Sequence, residues 1–386
     1  MGRFNDALRR PGLGVIAELK RRSPSAGELR PRADPVELTV GFERAGAAAV
    51  SILVDERFGG SLADLKSARA AAPDVPLLAK GFFTEELQLL QMKLAGADAA
   101  LLLLRDLDDE RAFGLISYAA ELRLDTLVEA HDADELARAI HLDAPVIGIN
   151  ARDLSSFAVD RHAQLELVAR APRDRVIVAE SGIESRAQGA AAELAGADAV
   201  LVGSALMRAP QPAAKLRDLL ARPLVKVCGL TREEDVAVAA EAGADLAGFI
   251  LAAESPRRAQ QVLDVPETML AVAVFVGDVE DTSADLVQVY GRENGHRSRD
   301  AVLLRDGDRV ATVIDLPWQE NDPTHLERAL ETDGRVMLAG GLAADNVGAA
   351  IKAVRPWAVD ASSRLEVKPG IKDPERVRAF VEAAQC

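Results

Sequence analysis

Short apolar runs alternate with longer amphipathic segments along the chain, and the first half contains eight such runs. Each run has the length of a buried strand, and each segment between two runs has room for a helix. This alternation is typical of βαβ units, in which a helix connects two parallel strands. Eight units predict a closed (β/α)8 barrel with the strands Val15–Lys20, Ala48–Val54, Pro76–Lys80, Ala99–Leu104, Asp125–Ala130, Val146–Asn150, Val176–Ser181 and Ala199–Ser204.

A second set of eight runs follows a proline-containing loop at Ala209–Pro212. We place the boundary near residue 222 and predict two tandem (β/α)8 barrels, residues 1–222 and 223–386. The tetrapeptide Ala-Gly-Ala-Asp occurs three times between a helical pattern and a strand, and we interpret it as a fold marker. The predicted strands of the second barrel are Val225–Cys228, Leu246–Leu251, Ala271–Val276, Leu286–Val289, Ala301–Leu304, Ala311–Ile314, Val336–Ala339 and Ala358–Asp360.

The middle of the second barrel has too few residues for regular βαβ units. Little room for two helices remains between Val289 and Ala311. Asp306-Gly307 is a tight-turn signal within this stretch. We therefore expect the second barrel to be trimmed or irregular around its middle strands.

Composition and net charge limit the binding partners, the cellular compartment and the cofactors that we expect. The net charge of −15 opposes non-specific binding to nucleic acids or anionic membranes, so we expect small-molecule partners. The two cysteines, Cys228 and Cys386, are too few for a disulfide framework, and the charged N-terminus contains no apolar signal segment. We expect a cytoplasmic protein, monomeric or associated with other enzymes of its pathway. Because no Cys/His cluster has metal-ligand spacing, we expect neither a metal nor a cofactor.

Charged and amide side chains stand at the ends of the predicted strands of the first barrel, where (β/α)8 enzymes place their active sites. Any one of them could be a solvated loop residue, but their common position in one register indicates a site. Buried charges are costly unless they are paired. Lysines and glutamates that converge on one mouth would bind an anionic substrate and supply an acid and a base. These residues are Glu18, Lys20, Lys80, Glu129, Asn150 and Glu180.

The motifs around these strand ends resemble those of the indole-3-glycerol phosphate synthase family over residues 12–208. The resemblance implies that the carboxylate-bearing ring carbon of 1-(2-carboxyphenylamino)-1-deoxyribulose 5-phosphate attacks the sugar carbonyl. Loss of carbon dioxide and dehydration then complete the indole. The matching motifs are Ile16–Ser25, Phe58–Ser61, Leu78–Lys80, Leu127–Glu129, Gly148–Leu154, Ala179–Ile183 and Val202–Ser204.

The same resemblance implies a role for each matching residue. Lys80 would be the general acid at the carbonyl, Glu129 the base or second acid in dehydration, and Lys20 the partner of the substrate carboxylate. Gly81 stands where an acidic residue often follows the lysine, so we expect altered substrate affinity. In supporting roles, Glu18, Asn150 and Glu180 would orient the hydroxyl chemistry, Arg152 would support the site, Phe58 would pack on the anthranilate ring, and Ser23, Ser181, Gly182, Gly203 and Ser204 would hold the phosphate.

The second barrel has a different set of residues at its strand ends. Cys228 ends the first strand, and its thiolate can act as a base if nearby cations lower the thiol pKa. Asp315 ends the sixth strand across the mouth and could supply the acid. Gly340-Gly341 suits a close approach of the backbone to a phosphate. The alternatives are that Cys228 is a small core residue and that Asp315 is a turn residue.

This half resembles the phosphoribosylanthranilate isomerase family near both of its ends. The resemblance implies an Amadori rearrangement whose product is the substrate of the first barrel. Cys228 would be the base at the sugar C2, Asp315 would protonate the ring oxygen, and Arg257 would pair with the anthranilate carboxylate. Gly340, Gly341, Ser362 and Ser363 would hold the phosphate. The matching motifs are Lys226–Thr231, Ser255–Arg257, Leu338–Leu342 with Asn346, and Pro369–Asp373.

The middle of this half departs from the isomerase pattern. Tyr290 replaces the usual histidine, and Leu316-Pro317-Trp318 replaces a glycine-rich stretch. Our main hypothesis is a bifunctional enzyme of tryptophan biosynthesis. One alternative is that only the synthase is active and the second barrel is a degenerate structural or interaction module. Another is an unrelated phosphosugar isomerase or an aldolase, for which Lys80 would form a Schiff base. If Asp315 is not the acid, Asp360 is the next candidate.

Overall fold

A computed structural model of the protein describes residues 2–23, 27–152, 158–293, 296–316, 322 and 324–385. The chain divides into two compact units, Met1–Glu184 with Gly189–Leu220, and Ser185–Gln188 with Ala221–Cys386. Among the described residues, no helix is both long enough and apolar enough to cross a bilayer. The residues named above that lie outside the described ranges are Pro24, Ser25, Asp153, Leu154, Pro317, Trp318 and Cys386.

The first barrel contains eight parallel strands in a closed ring, as the hydrophobic pattern predicts. Each strand ends within two residues of its predicted bounds. The strands are β1 (Gly14–Leu19), β4 (Ala49–Leu53), β5 (Leu77–Lys80), β6 (Ala99–Leu103), β7 (Asp125–Ala130), β8 (Val146–Asn150), β9 (Val176–Glu180) and β10 (Ala199–Val202), and a small hairpin, β2 (Arg22–Ser23) and β3 (Gly27–Glu28), follows β1.

Helices cover this ring, and most of them begin at a residue suited to cap them. Asp34, Asp108, Asp132 and Asp160 each accept a hydrogen bond from a backbone N–H of the first helical turn. The helices are α1 (Arg3–Leu8), α2 (Pro35–Ala45), α3 (Leu62–Ala71), α4 (Glu86–Leu94), α5 (Asp109–Glu121), α6 (Ala133–His141), α7 (Arg161–Arg170), α8 (Arg186–Ala195), α9 (Ser204–Arg208) and α10 (Pro212–Leu220).

Each of the three Ala-Gly-Ala-Asp segments connects the end of a helix to the strand that follows it. The glycine ends a helix with a positive φ of 100° at Gly96, 115° at Gly196 and 86° at Gly243. The aspartate that follows accepts a hydrogen bond from the backbone at the start of the preceding strand. These bonds run from Leu77 to Asp98 (2.9 Å), from Ile177 to Asp198 (2.8 Å) and from Val225 to Asp245 (2.8 Å).

The second barrel is also a closed ring of eight strands, at the predicted places in the chain. A small hairpin, β19 (Glu366–Lys368) and β20 (Ile371–Lys372), follows its last strand. Four helices lie among its described residues, α11 (Glu233–Ala242), α12 (His325–Leu330), α13 (Val347–Val354) and α14 (Pro374–Gln385). The strands are β11 (Leu224–Cys228), β12 (Leu246–Ile250), β13 (Leu270–Val276), β14 (Leu286–Glu293), β15 (His296–Arg305), β16 (Asp308–Ile314), β17 (Val336–Leu338) and β18 (Ala358–Ala361).

The irregular middle predicted for this barrel takes the form of an antiparallel meander. β15 pairs antiparallel with both β14 and β16, whereas the other strand pairs of the ring are parallel. Only Asp306 and Gly307, with φ values of 50° and 86°, separate β15 from β16. A connection of two residues permits an antiparallel pair, whereas a parallel pair needs a crossover of about a dozen residues or more. As a result, β15 begins at the end of the barrel where β14 and β16 finish.

Candidate active sites

The charged strand ends of the first barrel meet around one ammonium group. Lys80 Nζ lies 2.6 Å from Glu180 Oε2, 3.6 Å from Glu129 Oε2 and 3.7 Å from Glu18 Oε2. Lys20 Nζ lies 2.8 Å from Glu18 Oε1. The three carboxylates are buried, so the two lysines supply the opposite charge that makes this burial tolerable.

Two glycines provide the space that this cluster occupies. A Cβ atom at Gly148 would lie 2.1 Å from Glu180 Oε1, and one at Gly203 would lie 2.5 Å from Glu18 Oε1. Any larger residue at these positions would collide with a carboxylate. The glycines of β8 and of the loop after β10 therefore belong to the construction of the site.

The environments of two glutamates drive their pKa values apart. Burial raises the pKa of Glu180 to about 8, and the negative charge of Glu129 adds to this effect while Lys80 opposes it. Burial also disfavours ionised Glu129, but Lys80, His131 and Asn150 outweigh it and lower the pKa of Glu129 to about 2. The surroundings therefore favour the protonated form of Glu180 and the ionised form of Glu129, a combination that acid–base catalysis uses.

Lys80 is held in its charged form. Burial alone would lower the pKa of its ammonium group, but Glu180, Glu129 and Glu18 together raise it above the usual value. A protonated lysine can donate a hydrogen bond or a proton to a substrate oxygen. It is a poor amine nucleophile in this state, because a Schiff base requires the neutral amine.

Asn150 and His131 fix the orientation of Glu129. Asn150 Nδ2 donates to Glu129 Oε1 at 3.0 Å, and the backbone N–H of Arg152 donates to Asn150 Oδ1 at 2.9 Å. His131 was not identifiable as a site residue from the motifs. Its Nε2 lies 3.1 Å from Glu129 Oε1, and its Nδ1 lies 3.0 Å from Glu135 Oε2. Its place two residues after Glu129, just beyond β7, was the available signal.

Aromatic side chains form part of the wall of this mouth. Phe58 stacks on Phe82, with ring centroids 6.3 Å apart and planes inclined by 18°. The guanidinium of Arg57 lies 4.0 Å from the centre of the Phe82 ring. Phe82 was also missed, although it closely follows Lys80 in the sequence.

The residues expected to hold a phosphate follow neighbouring strands of the first barrel. Ser181 and Gly182, after β9, have φ values of 70° and 71°. Gly203 follows β10, and Ser204 is the first residue of α9. A positive φ is unusual for serine and is found where the surrounding structure enforces a particular backbone turn. Ser23 lies buried in the small hairpin after β1.

A chain of hydrogen bonds crosses the interior of the second barrel. Lys226 Nζ, which is fully buried, donates to Asp360 Oδ2 at 2.8 Å and to Gln288 Oε1 at 2.7 Å. Gln288 Nε2 donates to Tyr290 Oη at 2.9 Å, and Tyr290 Oη donates to Asp315 Oδ2 at 2.9 Å. In the sequence, Lys226 is visible only as part of a motif, and nothing there indicates that Gln288 is a partner of Tyr290.

Cys228 lies beside the start of this chain. A Cβ atom at Gly248 would lie 2.7 Å from Cys228 Sγ and 2.9 Å from Lys226 Cε, so the glycine of β12 leaves room for both side chains. Burial raises the pKa of the Cys228 thiol, and the ammonium groups of Lys226 and Lys372 oppose this effect. The thiol form is therefore favoured, contrary to the lowered pKa that a thiolate base requires, and Cys228 must lose its proton before it can act as a base.

The remaining candidate residues of the second barrel lie on the loops around its mouth. Arg257 Nε is 2.9 Å from Glu366 Oε2, and a Cβ atom at Gly229 would lie 2.8 Å from Ser362 Oγ and 3.2 Å from Arg257 Cδ. Gly340 has a φ of 93°, and a Cβ atom there would meet the backbone nitrogen of Leu316 at 2.4 Å. Gly341 has a φ of 63°, and Ser363 begins a short 3₁₀ helix after β18. The structure thus places Arg257, Gly229 and Ser362 together.

Family models match both halves of the chain. The model for indole-3-glycerol phosphate synthase matches residues 2–219. The model for N-(5'-phosphoribosyl)anthranilate isomerase matches residues 318–383, which follow the antiparallel meander. The first match covers the whole of the first barrel, and the second covers the last part of the second barrel.

Relatives with curated names extend these matches over the full chain. The tryptophan biosynthesis protein TrpCF of Yersinia pestis is 34% identical, over 98% of this chain and 86% of that protein. A multifunctional tryptophan biosynthesis protein of Phycomyces blakesleeanus is 30% identical over 98% of this chain, which spans 63% of that longer protein. Indole-3-glycerol phosphate synthase of Opitutus terrae is 46% identical over 57% of this chain and 85% of its own length. With both barrels and their strand-end residues in place, this chain belongs to the family of bifunctional tryptophan-biosynthesis enzymes that join an indole-3-glycerol phosphate synthase to a phosphoribosylanthranilate isomerase.

Proposed function

We propose that the lysine–glutamate cluster of the first barrel carries out the ring closure to indole-3-glycerol phosphate. The observation that carries this proposal is the contact of Lys80 with three buried glutamates. Their surroundings lower the pKa of Glu129 and raise that of Glu180. Such a site contains a cationic acid, a carboxylate base and a neutral carboxylic acid within one mouth.

Each step of the reaction has a group in this cluster to perform it. Lys80 donates a proton to the sugar carbonyl oxygen as the ring carbon attacks the carbonyl carbon. Carbon dioxide then leaves, and its bonding electrons restore the aromatic ring. Glu129 accepts the proton released during dehydration, and Glu180, supported by Glu18, donates to the departing hydroxyl. Lys20 neutralises the substrate carboxylate until decarboxylation removes that charge.

The walls of the mouth position the two ends of the substrate. Phe58, with Phe82 behind it, packs against the anthranilate ring. Asn150 and Arg152 maintain the orientation of Glu129. The phosphate binds to the loops after β1, β9 and β10, which contain Ser23, Ser181, Gly182, Gly203 and Ser204, through hydroxyl and backbone N–H groups.

The aldolase alternative, in which Lys80 would form a covalent Schiff base, can be tested directly. If Lys80 acts as an acid and forms no imine, borohydride added during turnover leaves Lys80 unmodified in a peptide mass spectrum. Product formation from the synthase substrate must be measured in the same sample. A substrate adduct on Lys80 would support the aldolase hypothesis and contradict this role.

We propose that the second barrel isomerises phosphoribosylanthranilate with Cys228 as the base and Asp315 as the acid. Asp315 protonates the ring oxygen as the furanose opens to a protonated imine, and Cys228, as the thiolate, removes the proton from C2. The resulting enolamine becomes the ketone as C1 takes up a proton and the C2 hydroxyl loses one. The hydrogen-bond chain from Asp360 through Lys226 to Asp315 supports this proposal, because it orients polar groups in an otherwise apolar interior. Arg257 pairs with the anthranilate carboxylate, and Gly340, Gly341, Ser362 and Ser363 hold the phosphate.

We further propose that residues 1–222 and 223–386 are separate folding units and that the protein works in the cytoplasm on small phosphorylated substrates. The support is the closure of each strand ring within its own half, together with the acidic, cysteine-poor composition. Nucleic acid and membrane partners do not fit a net charge of −15.

A further inference from the structure

A buried carboxylate group contacts Arg257, the arginine that is proposed to pair with the substrate carboxylate. Glu366 is the first residue of β19, and its side chain is 3% exposed. Arg257 Nε lies 2.9 Å from Glu366 Oε2 and 3.0 Å from Glu366 Oε1. Glu366 lies between two of the matching isomerase motifs and has no part in the proposed mechanism.

The hairpin that contains Glu366 fixes the position of its carboxylate group. Glu366 and Lys372 are paired residues of this hairpin, and the buried Lys372 Nζ donates to Glu366 Oε1 at 2.9 Å. The backbone N–H of Gly370, in the turn, donates to the same oxygen at 3.3 Å. Thr231 Oγ1, on the loop after β11, donates to the carbonyl oxygen of Gly370 at 2.5 Å. These bonds hold Glu366 beside the strand that ends in Cys228.

The contact through Nε determines which donors of Arg257 remain for a ligand. A guanidinium group has five N–H donors in one plane, and Nε carries one of them. In the part of the chain that the structure describes, the two Nη groups of Arg257 have no hydrogen-bond partner. The side chain is 19% exposed, so a ligand in the mouth can reach it. The two Nη groups can therefore donate to both oxygens of a carboxylate.

We propose that Glu366 is a positioning residue that orients Arg257 for the carboxylate of the isomerase substrate. The inference rests on the proposed isomerase function. A free arginine side chain has several rotamers, and fixing one of them on binding costs conformational entropy. Because Glu366 holds Nε, Arg257 is ordered before the substrate arrives. Glu366 thus increases the preference for a carboxylated substrate and does so through Arg257.

The test compares phosphoribosylanthranilate with its aniline counterpart, which lacks the carboxylate. Each is prepared from ribose 5-phosphate and the corresponding amine, and kcat and KM are measured for both. In the wild type, kcat/KM should favour the carboxylated substrate. In Glu366→Gln this preference should fall by about tenfold, mainly through a higher KM for the carboxylated substrate. The values for the aniline substrate should stay close to those of the wild type.

A double variant distinguishes positioning from a general structural role. Arg257→Met should lower the preference by about 10- to 100-fold, the range expected for one charge-assisted hydrogen bond. If Glu366 acts through Arg257, adding Glu366→Gln to Arg257→Met should cause no further loss of preference. Additive losses would overturn the positioning role. An unchanged preference in Arg257→Met would overturn the assignment of Arg257 and this inference with it.

Asp322→Asn is the matched control, because Asp322 also lies between two cations, 2.8 Å from Arg299 Nη1 and 3.4 Å from Arg328 Nε. It should retain the wild-type preference. Glu366→Gln leaves Lys372 buried without its charged partner, which is destabilising. If that variant does not fold, Glu366→Leu combined with Lys372→Met removes both charges and should show the same loss.

Circular dichroism and unchanged synthase activity verify that each variant is folded. An unchanged preference in a folded Glu366 variant, or an equal loss with both substrates, would overturn the inference while the isomerase function stands. Wild-type protein that isomerises neither substrate would overturn the isomerase function as well.

Discussion

The two barrels of this protein build polar sites in different ways. In the first barrel the charged groups come from the ends of parallel strands, and they meet around Lys80. In the second, a buried hydrogen-bond chain begins at Lys226, and an antiparallel strand contributes Arg297 from the opposite chain direction. In a regular barrel, strand register alone therefore decides which side chains share the mouth. In an irregular barrel, the direction of each strand also decides this.

Replacing the central lysine of the first barrel should give the largest effect. Lys80→Ala should reduce indole-3-glycerol phosphate formation by about 10²- to 10⁴-fold, because the proton donor is lost and three carboxylates lose their common partner. Glu129→Gln should have a similar effect. Steady-state assays with the synthase substrate measure this, with Lys66→Met on an exposed face of α3 as the control. Either variant with more than half of wild-type turnover would refute its assignment.

The corresponding change in the second barrel should affect only the isomerase. Cys228→Ser should slow the loss of phosphoribosylanthranilate, followed as the rate at which its fluorescence decays, by about 10²- to 10⁴-fold. The reason is that a hydroxyl is a far weaker base than a thiolate. Synthase turnover by the same sample should not change, since Cys228 lies in the second strand ring. An equal loss of both activities would show that the two sites are not independent.

The comparison also shows which parts of the structure the sequence could reveal. Strand positions were predictable in both barrels because buried strands are continuous apolar runs. Lys80 and Glu129 were identifiable because charges rarely interrupt such runs. His131 and Phe82 follow strand ends, where side-chain direction depends on the loop that forms. Arg297 was missed for another reason: its contact with Asp315 follows from the antiparallel direction of β15, which the apolar pattern does not reveal.

A histidine makes the first site sensitive to pH. Burial lowers the pKa of His131, but Glu129 and Glu135 outweigh this effect and raise it to about 9. Because the folded pKa lies above the unfolded value of about 6.5, the stabilisation is complete below about pH 6.5 and is lost as pH rises through about 9. The upper limit of the contribution of His131 to the free energy of unfolding is about 3 kcal/mol, at about 1.4 kcal/mol per pKa unit.

Urea unfolding at a series of pH values tests this account of His131. His131→Asn should make the decline in the free energy of unfolding between about pH 6.5 and 9 smaller, leaving the part that the raised pKa of Glu180 contributes up to about pH 8. It should also lower kcat of the synthase by about tenfold. His162→Asn is the control, because His162 also lies near a glutamate four residues later but is 90% exposed. A decline as large in His131→Asn as in the wild type would contradict the assignment.

Separation of the two barrels should have the smallest effect. A fragment of residues 1–222 should be soluble and should retain full synthase kcat and KM, because its ring of eight strands is complete at β10. Analytical gel filtration and steady-state assays provide the measurements. A fragment that becomes active only when residues 223–386 are added would contradict the proposed boundary.

The central claim is that one chain runs two consecutive reactions in two separate sites. A complementation assay tests it most directly: phosphoribosylanthranilate is supplied to Lys80→Ala, to Cys228→Ser and to a mixture of both, and indole-3-glycerol phosphate is measured. We predict no product from Cys228→Ser, accumulation of the deoxyribulose intermediate with Lys80→Ala, and recovery of product formation in the mixture. If wild-type protein consumes phosphoribosylanthranilate no faster than a blank, or if the mixture stays inactive while each variant retains its other activity, the claim is wrong.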